Sequence, residues 1–360
     1  MTRDATDLAF WASRAAEAAD ALYGPPARPL AELVAELSAT YTRRRADIAG
    51  TVGARDALQA RLRFFFVRDL AKVARPLAAV GPRLGTHWRV LDLGAGVGTT
   101  GLGAAREAAA RGWAASFRVT AVDRDREALQ AYARLAAHAP LPFELDTRAG
   151  DARRNLPDGP FDLVLLGLVL NELGAGARKE LMAALARRLR PGGAVVVVEP
   201  ALRPVTRALM SWREELVQTG WHLLAPCPHA GPCPMLARER DWCHDEFPQR
   251  LPPALAEVAR EAGLRFERST SAYLVLARGG APAAGDRVVS QPLVSKGKRE
   301  LWLCRPDRTL VTLRRLDRHR SPANAALDEL RRYDRIHAEG ELRKGALRVG
   351  ADARIDLLSG

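Results

Sequence analysis

A chain of 360 residues has room for one large domain with additions or for two domains, and its 48% hydrophobic share is enough for a real core. Lys and Arg outnumber Asp and Glu by 55 to 42, a net charge of +13 with an isoelectric point near 10.4. That excess points to an anionic partner such as nucleic acid, although an Arg- and Ala-rich composition alone would also produce it. No apolar run reaches the roughly 18 residues of a membrane span. The first residues lack a secretory apolar core, and Asp4, Asp7, Glu17 and Asp20 argue against a transit peptide, so a cytoplasmic location is expected.

In chain order, Leu8, Phe10, Trp11, Ala15, Ala18 and Leu22 recur at helical spacing before Gly24-Pro25-Pro26 breaks the pattern. Further helices are expected over 30–45 and 57–80, the latter with Leu62, Phe65, Phe66, Leu70, Val73 and Leu77 inward. Residues 1–85 therefore read as an N-terminal helical extension. Strands then alternate with helices: strands at 89–94, 117–123, 143–147, 161–170 and 194–199, and helices at 99–111, 126–138 and 177–189. This alternation predicts right-handed crossovers and a parallel sheet, an α/β fold. A helix over 205–217 follows, then a Pro-, Cys- and His-rich stretch at 221–250 without periodicity, a helix at 253–262, and two strands at 264–269 and 272–277. Those two strands are expected to close the sheet as an antiparallel pair, which makes 221–250 an insertion into a domain spanning 86–278. After the linker GGAPAAG, residues 286–360 read as a small basic β segment with strands at 288–294, 300–304 and 309–313 and a final helix over 323–337.

The most informative stretch is VLDLGAGVGTTG, residues 90–101. An apolar strand running into Gly94, Gly96 and Gly98 and then a small-residue helix is the start of a nucleotide-binding βα unit, whose turn exposes bare backbone to a ligand. Gly96–Gly101 fits the dinucleotide pattern G-x-G-x-x-G, while Asp92–Gly98 fits the D-x-G-x-G-x-G loop of class I methyltransferases. Asp92 favours the second reading, because a carboxylate inside a buried strand needs a partner, and in that reading it lies beside the methionine moiety of S-adenosylmethionine (SAM). Asp123 ends the second strand, where an acid accepts ribose hydroxyls. Asp151 follows the third strand, at the place where such enzymes bind the adenine amino group. Asn171 ends the fourth strand at the carboxyl edge, where open α/β sheets bind ligands. The expected fold is thus a class I SAM-dependent methyltransferase with a Rossmann-like seven-stranded sheet. No catalytic signature accompanies it. Asn171-Glu172-Leu173 is not the Asn-Pro-Pro-Tyr type, no cysteine is placed as a nucleophile, and Glu172 or Glu199 would serve equally as a general base or as a cap.

All four cysteines, Cys227, Cys233, Cys243 and Cys304, lie in the insertion or the C-terminal β segment. They are too few for a disulfide framework. Three thiols in a Pro-rich irregular loop suit a metal or cluster that orders a segment without its own core. Paired zinc knuckles are absent, which favours an iron–sulfur cluster over zinc, with His229 and His244 as alternative zinc ligands. Behind a class I loop, the set CPHAGPCP, DWCH and LWLC resembles the methyltransferase-like assembly factors of the mitochondrial small ribosomal subunit (methyltransferase-like protein seventeen in animals) and their bacterial relatives. That resemblance covers most of 60–320. It implies a four-iron, four-sulfur cluster on Cys227, Cys233, Cys243 and Cys304, a SAM-type domain, and binding to small-subunit rRNA and the pre-small subunit during assembly, with methyl transfer to rRNA left open. Between Arg287 and Arg320 ten basic residues face three acidic ones, and this segment is the expected RNA contact.

Overall fold

The computed structural model describes residues 7–43, 54–151, 154 and 156–358. Helices α1 (Leu8–Tyr23) and α2 (Leu30–Arg43) open the chain. The expected helix over 57–80 is broken into α3 (Ala54–Ala60), a π-helical turn (Arg61–Phe66), α4 (Val67–Asp69), a 3-10 turn (Leu70–Val73) and α5 (Ala74–Ala78). The wider π turn shifts the phase of the run Phe64-Phe65-Phe66, so that Phe64 is fully buried and Phe65, expected inward, is only half-buried.

Parallel strands β1 (His87–Leu93), β2 (Ser116–Asp123), β3 (Phe143–Ala149), β4 (Phe161–Gly167) and β5 (Leu189–Pro200) alternate with α6 (Thr99–Arg111), α7 (Arg126–Ala136) and α8 (Ala175–Ala186). After α9 (Arg203–Gln218) come β6 (His222–Ala225), β7 (Asp245–Pro248), α10 (Pro253–Glu261) and β8 (Arg268–Ala277). The order is β3-β2-β1-β4-β5-β8-β6, with β7 also on β8, and β8 runs antiparallel to β5. This is the class I methyltransferase arrangement. The closing pair differs from expectation: residues 264–267 do not join a strand, β8 is a single ten-residue strand, and opposite β5 it pairs with β6 and β7, so both ends of the expected insertion 221–250 belong to the sheet and only 226–244 lie outside it. Seven positions are therefore filled by eight strands.

Strand residues alternate between two cores, as two covered faces require. Val90, Val119, Leu163, Leu165 and Val196 pack under α6, α7, α10 and the N-terminal helices, while Leu91, Leu93, Val164, Leu166 and Val197 pack under α8 and α9.

The C-terminal segment is a second eight-stranded sheet with its own core. It comprises β9 (Asp286–Val288), β10 (Leu293–Ser295), β11 (Lys298–Cys304), β12 (Leu310–Leu316), β13 (Arg335–Ala338), β14 (Glu341–Arg343), β15 (Ala346–Val349) and β16 (Ile355–Leu358). The expected helix over 323–337 is absent. A 3-10 turn over Pro322–Asp328 takes its place, and β13 follows. The cause is tertiary: Asn324 is wholly buried and its side chain bonds Ser321 N, His319 O and Gly350 O, while Tyr333 adopts φ 85° and donates its N–H to Val288 O.

Candidate functional site

The glycine turn joins β1 to α6. Gly94 N and Ala95 N donate to Val122 O, and Gly96 N donates to Asp123 Oδ2 at 2.8 Å, which locks the loop to the end of β2. Gly94, Gly96 and Gly98 all have positive φ. Their surroundings differ. A Cβ at Gly94 would strike Val169 and one at Gly98 the Tyr132 ring, whereas above Gly96 nothing lies within 4 Å. Gly96 is thus the point of the turn where the backbone is open to approach.

Asp92 is 1% exposed under this loop, and neither its carboxylate oxygens nor the Tyr132 hydroxyl has a partner in full hydrogen-bond geometry. Burial pushes its carboxyl up to about 7, against the opposing effects of the Tyr132 hydroxyl and the Gly101 N–H. An orphaned carboxylate beside an open glycine fits a ligand with cationic and donor groups. Asp123 accepts Gly96 N on one oxygen and Asp125 N on the other, which leaves further lone pairs on both. Gly150 N donates to Asp123 O at 2.9 Å, so Asp151 begins its loop next to Asp123. The expected residues Asp92, Gly94, Gly96, Gly98, Asp123 and Asp151 all belong to this one edge of the sheet.

Asn171 sits there too, but its amide is engaged. Its Nδ2 donates to Glu199 Oε2 at 2.6 Å and to Leu168 O at 3.0 Å, and Glu199 Oε1 accepts Leu170 N at 2.8 Å. Glu199 therefore clamps the turn after β4 and acts as a cap. Glu172 faces Arg124 at 3.7 Å from the end of β2, and burial raises its carboxyl.

A second site lies where the insertion meets the C-terminal sheet. Cys227, Cys233 and Cys243 line a cavity of about 30 Å³ with Arg213, Arg287 and Met210. Cys304, on β11, packs beside it in one cluster with Met210, Met235, Cys233 and Cys243. Burial pushes the Cys233 thiol up to about 12 and raises those of Cys243 and Cys304, with Arg287 opposing the last two. His229 Nε2 lies 3.6 Å from Cys304 Sγ, while His244 stacks on Trp242 and is pushed down to about 4 by burial. Among the described residues, no three His, Cys, Asp or Glu side chains close around a single metal ion.

Two features of this cavity are not apparent from sequence. Arg287, 3% exposed, places Nη1 at 3.5 Å from Cys243 Sγ and its guanidinium 4.3 Å from the Tyr333 ring centre. Arg213, 1% exposed, donates to His229 O and Gly231 O. Side chains of α9 also order the insertion, with Arg207 bonding the carbonyls of Leu236, Arg238 and Asp241 and Glu214 accepting Cys233 N.

The basic segment is less free than its composition suggests. Arg287 and Arg315 are buried, Arg305 pairs with Asp286 and Asp307, Lys298 and Arg314 share Glu300, and Arg320 pairs with Asp328. Lys296, Arg308 and Arg318 stay exposed, and the hairpin of β10 adds exposed Leu293 and Val294.

The family model described as mitochondrial small ribosomal subunit Rsm22 matches residues 70–325, well over half of the chain. No curated protein matches. Among solved structures, a precorrin-6y C5,15-methyltransferase from Geobacter metallireducens is 18% identical with TM-score 0.36, covering 59% of this chain and 88% of that one. A ribosomal protein L11 methylase from Lactobacillus delbrueckii is 16% identical with TM-score 0.33, covering 57% and 77%. A SAM-dependent methyltransferase from Thiobacillus denitrificans, in complex with S-adenosyl-L-homocysteine, is 18% identical with TM-score 0.35, covering 57% and 90%.

Proposed function

We propose that this chain, which belongs to the family described as mitochondrial small ribosomal subunit Rsm22, is a SAM-binding, methyltransferase-like protein that acts on the small ribosomal subunit and contacts its rRNA. The observation that carries the reading is the extent of the family match, 70–325, which takes in both the glycine loop and all four cysteines. A kinship with animal methyltransferase-like protein seventeen belongs to the same proposal. SAM would be held by Asp92, Gly94, Gly96, Gly98, Asp123 and Asp151, with Asn171 at the edge of the groove, and it would supply an electrophilic methyl group. The orphaned Asp92 carboxylate and the open approach to Gly96 support this.

The thiols of Cys227, Cys233, Cys243 and Cys304 would hold a four-iron, four-sulfur cluster, with zinc as the alternative. Three thiols lining one cavity and a fourth packed beside them, with the buried guanidinium groups of Arg213 and Arg287 among them, suit a group whose thiolate ligands carry net negative charge. The cluster would tie the insertion to β11.

A second reading, a non-catalytic RNA-binding assembly factor that keeps the fold as scaffold, is favoured by one observation. Asn171 and Glu199, the polar pair at the end of β4 and β5, are spent on each other. Mapping rRNA methylation in cells with and without the protein decides between the two. Loss of a methyl mark is the result expected of the enzyme, and unchanged marks with defective small subunits would leave the scaffold.

A further inference from the structure

Acids surround the glycine loop: Asp123, Asp151 and Glu172 at the strand ends, and Asp92 buried beneath it. Carboxylates suit the sulfonium, ammonium and hydroxyl groups of an S-adenosyl amino acid, but they repel its one anionic group, the α-carboxylate. The N–H groups at the start of α6 can meet that group, and a cation beside them would offset the repulsion. Among the described residues, Arg124 is 73% exposed and faces Glu172 at 3.7 Å, and Arg154, in the Asp151 loop, is exposed as well, so neither is held in place by its surroundings.

Arg61 is placed differently. It is the first residue of the π-helical turn in the N-terminal extension, a kind of distortion that re-aims side chains and recurs at functional sites. Its Nε donates to Tyr41 Oη at 2.8 Å, which orients the fork. Its Nη1 stands 3.8 Å from Asp125 Oδ2, beyond hydrogen-bond reach, and Asp125 is committed to capping α7 through Ala128 N. Among the described residues no hydrogen bond occupies either Nη group. The guanidinium acts on Asp123 at the end of β2 and on Glu172 past the end of β4, the two strands that flank β1 and its glycine turn.

We infer that Arg61, held by Tyr41, is the residue that binds the α-carboxylate of the S-adenosyl cofactor. The inference rests on the cofactor reading above and extends it to a part of the chain outside the matched residues 70–325. Two parallel N–H groups of a guanidinium pair with a carboxylate in a geometry that no ammonium reproduces.

The test is calorimetry on the full-length protein with two probes: S-adenosylhomocysteine, and its decarboxylated analogue 5′-(3-aminopropylthio)-5′-deoxyadenosine. Wild type is expected to bind the first about tenfold or more tightly than the second. Arg61→Met is expected to weaken S-adenosylhomocysteine by about ten- to a hundredfold, the worth of a lost charge-assisted pair, while leaving the analogue within about twofold. Arg61→Lys should fall between. Equal weakening of both probes by Arg61→Met, or of neither, would overturn the assignment. If Arg61→Met binds neither probe because it misfolds, Arg61→Lys decides: an unreduced preference for S-adenosylhomocysteine then defeats the inference, and a reduced one upholds it. Wild type that binds neither probe would instead remove the cofactor reading, and this inference with it.

Discussion

The three glycines of the turn look alike in sequence and do different work. Gly96 has open space where a Cβ would project but a φ of 52°, so Gly96→Asp should still fold, at a cost of about 1–2 kcal/mol, and abolish S-adenosylhomocysteine binding in calorimetry. Gly98→Ala would drive a methyl into the Tyr132 ring at φ 83° and should cost about 2 kcal/mol or more in thermal unfolding. Asp92 makes a pH prediction. Its folded carboxyl is raised to about 7, above the unfolded value near 3.9, so the folded state holds the extra proton between those values. Stability should therefore fall as pH rises from 4 to 7, by on the order of 4 kcal/mol from this group alone, and stay low above. Asp92→Asn should flatten that slope in melting temperatures measured across the range, and an unchanged slope would refute it. The loop acids and the cysteines were legible because a glycine pattern or a rare residue type singles them out. Arg213 and Arg287, which folding buries, and Arg61, which it half-buries, were not, since nothing distinguishes them in a chain with 55 basic residues.

Elements were legible wherever local signals and tertiary context agreed. Helix α6 occupies the expected 99–111, bounded by Gly98 and Gly112 in left-handed conformations. The expected C-terminal helix failed because Ala, Leu, Glu and Arg between 323 and 337 carry helix propensity, yet the segment is needed to pair β13 with β9 and β16. Propensity is a weak prior against such pairing. The turn after β4 is a case that sequence left open and hydrogen bonds decide. Glu199→Gln keeps the shape but sets an amide donor against Leu170 N or Asn171 Nδ2. It should cost about 1–3 kcal/mol and raise hydrogen exchange at 168–173. Full protection there would mean that the clamp is dispensable.

At the scale of the molecule, composition anticipated a basic protein but not where the charge is spent. Charge reversal at exposed Lys296 and Arg318 should weaken rRNA binding and lower its salt dependence. An unaltered salt slope would place the contact elsewhere. The division into 1–85, 86–278 and 286–360 remains a proposal, in which the thiols join the last two parts. Protein purified without oxygen should be brown, and Cys243→Ser should bleach it while β1–β5 stay folded. Colourless wild type with one zinc per chain would replace the cluster by zinc.

Strand β8 bears on how such a chain could have been assembled. It grips β6 at Val275–Ala277 and β7 at Arg268–Ser271, so the chain leaves the sheet at Ala225 and returns at Asp245 along the same line. Only the three residues Ala272–Leu274 of β8 separate the two contacts. A splice replacing 226–244 with about three extended residues, each spanning about 3.3 Å, would complete an ordinary edge strand and leave the β1–β5 sheet intact. Losing the thiol-bearing excursion would thus leave the sheet whole but bare the outer face of α9, where buried Met210 and Arg213 have their partners in 226–244, so the two would have to change together.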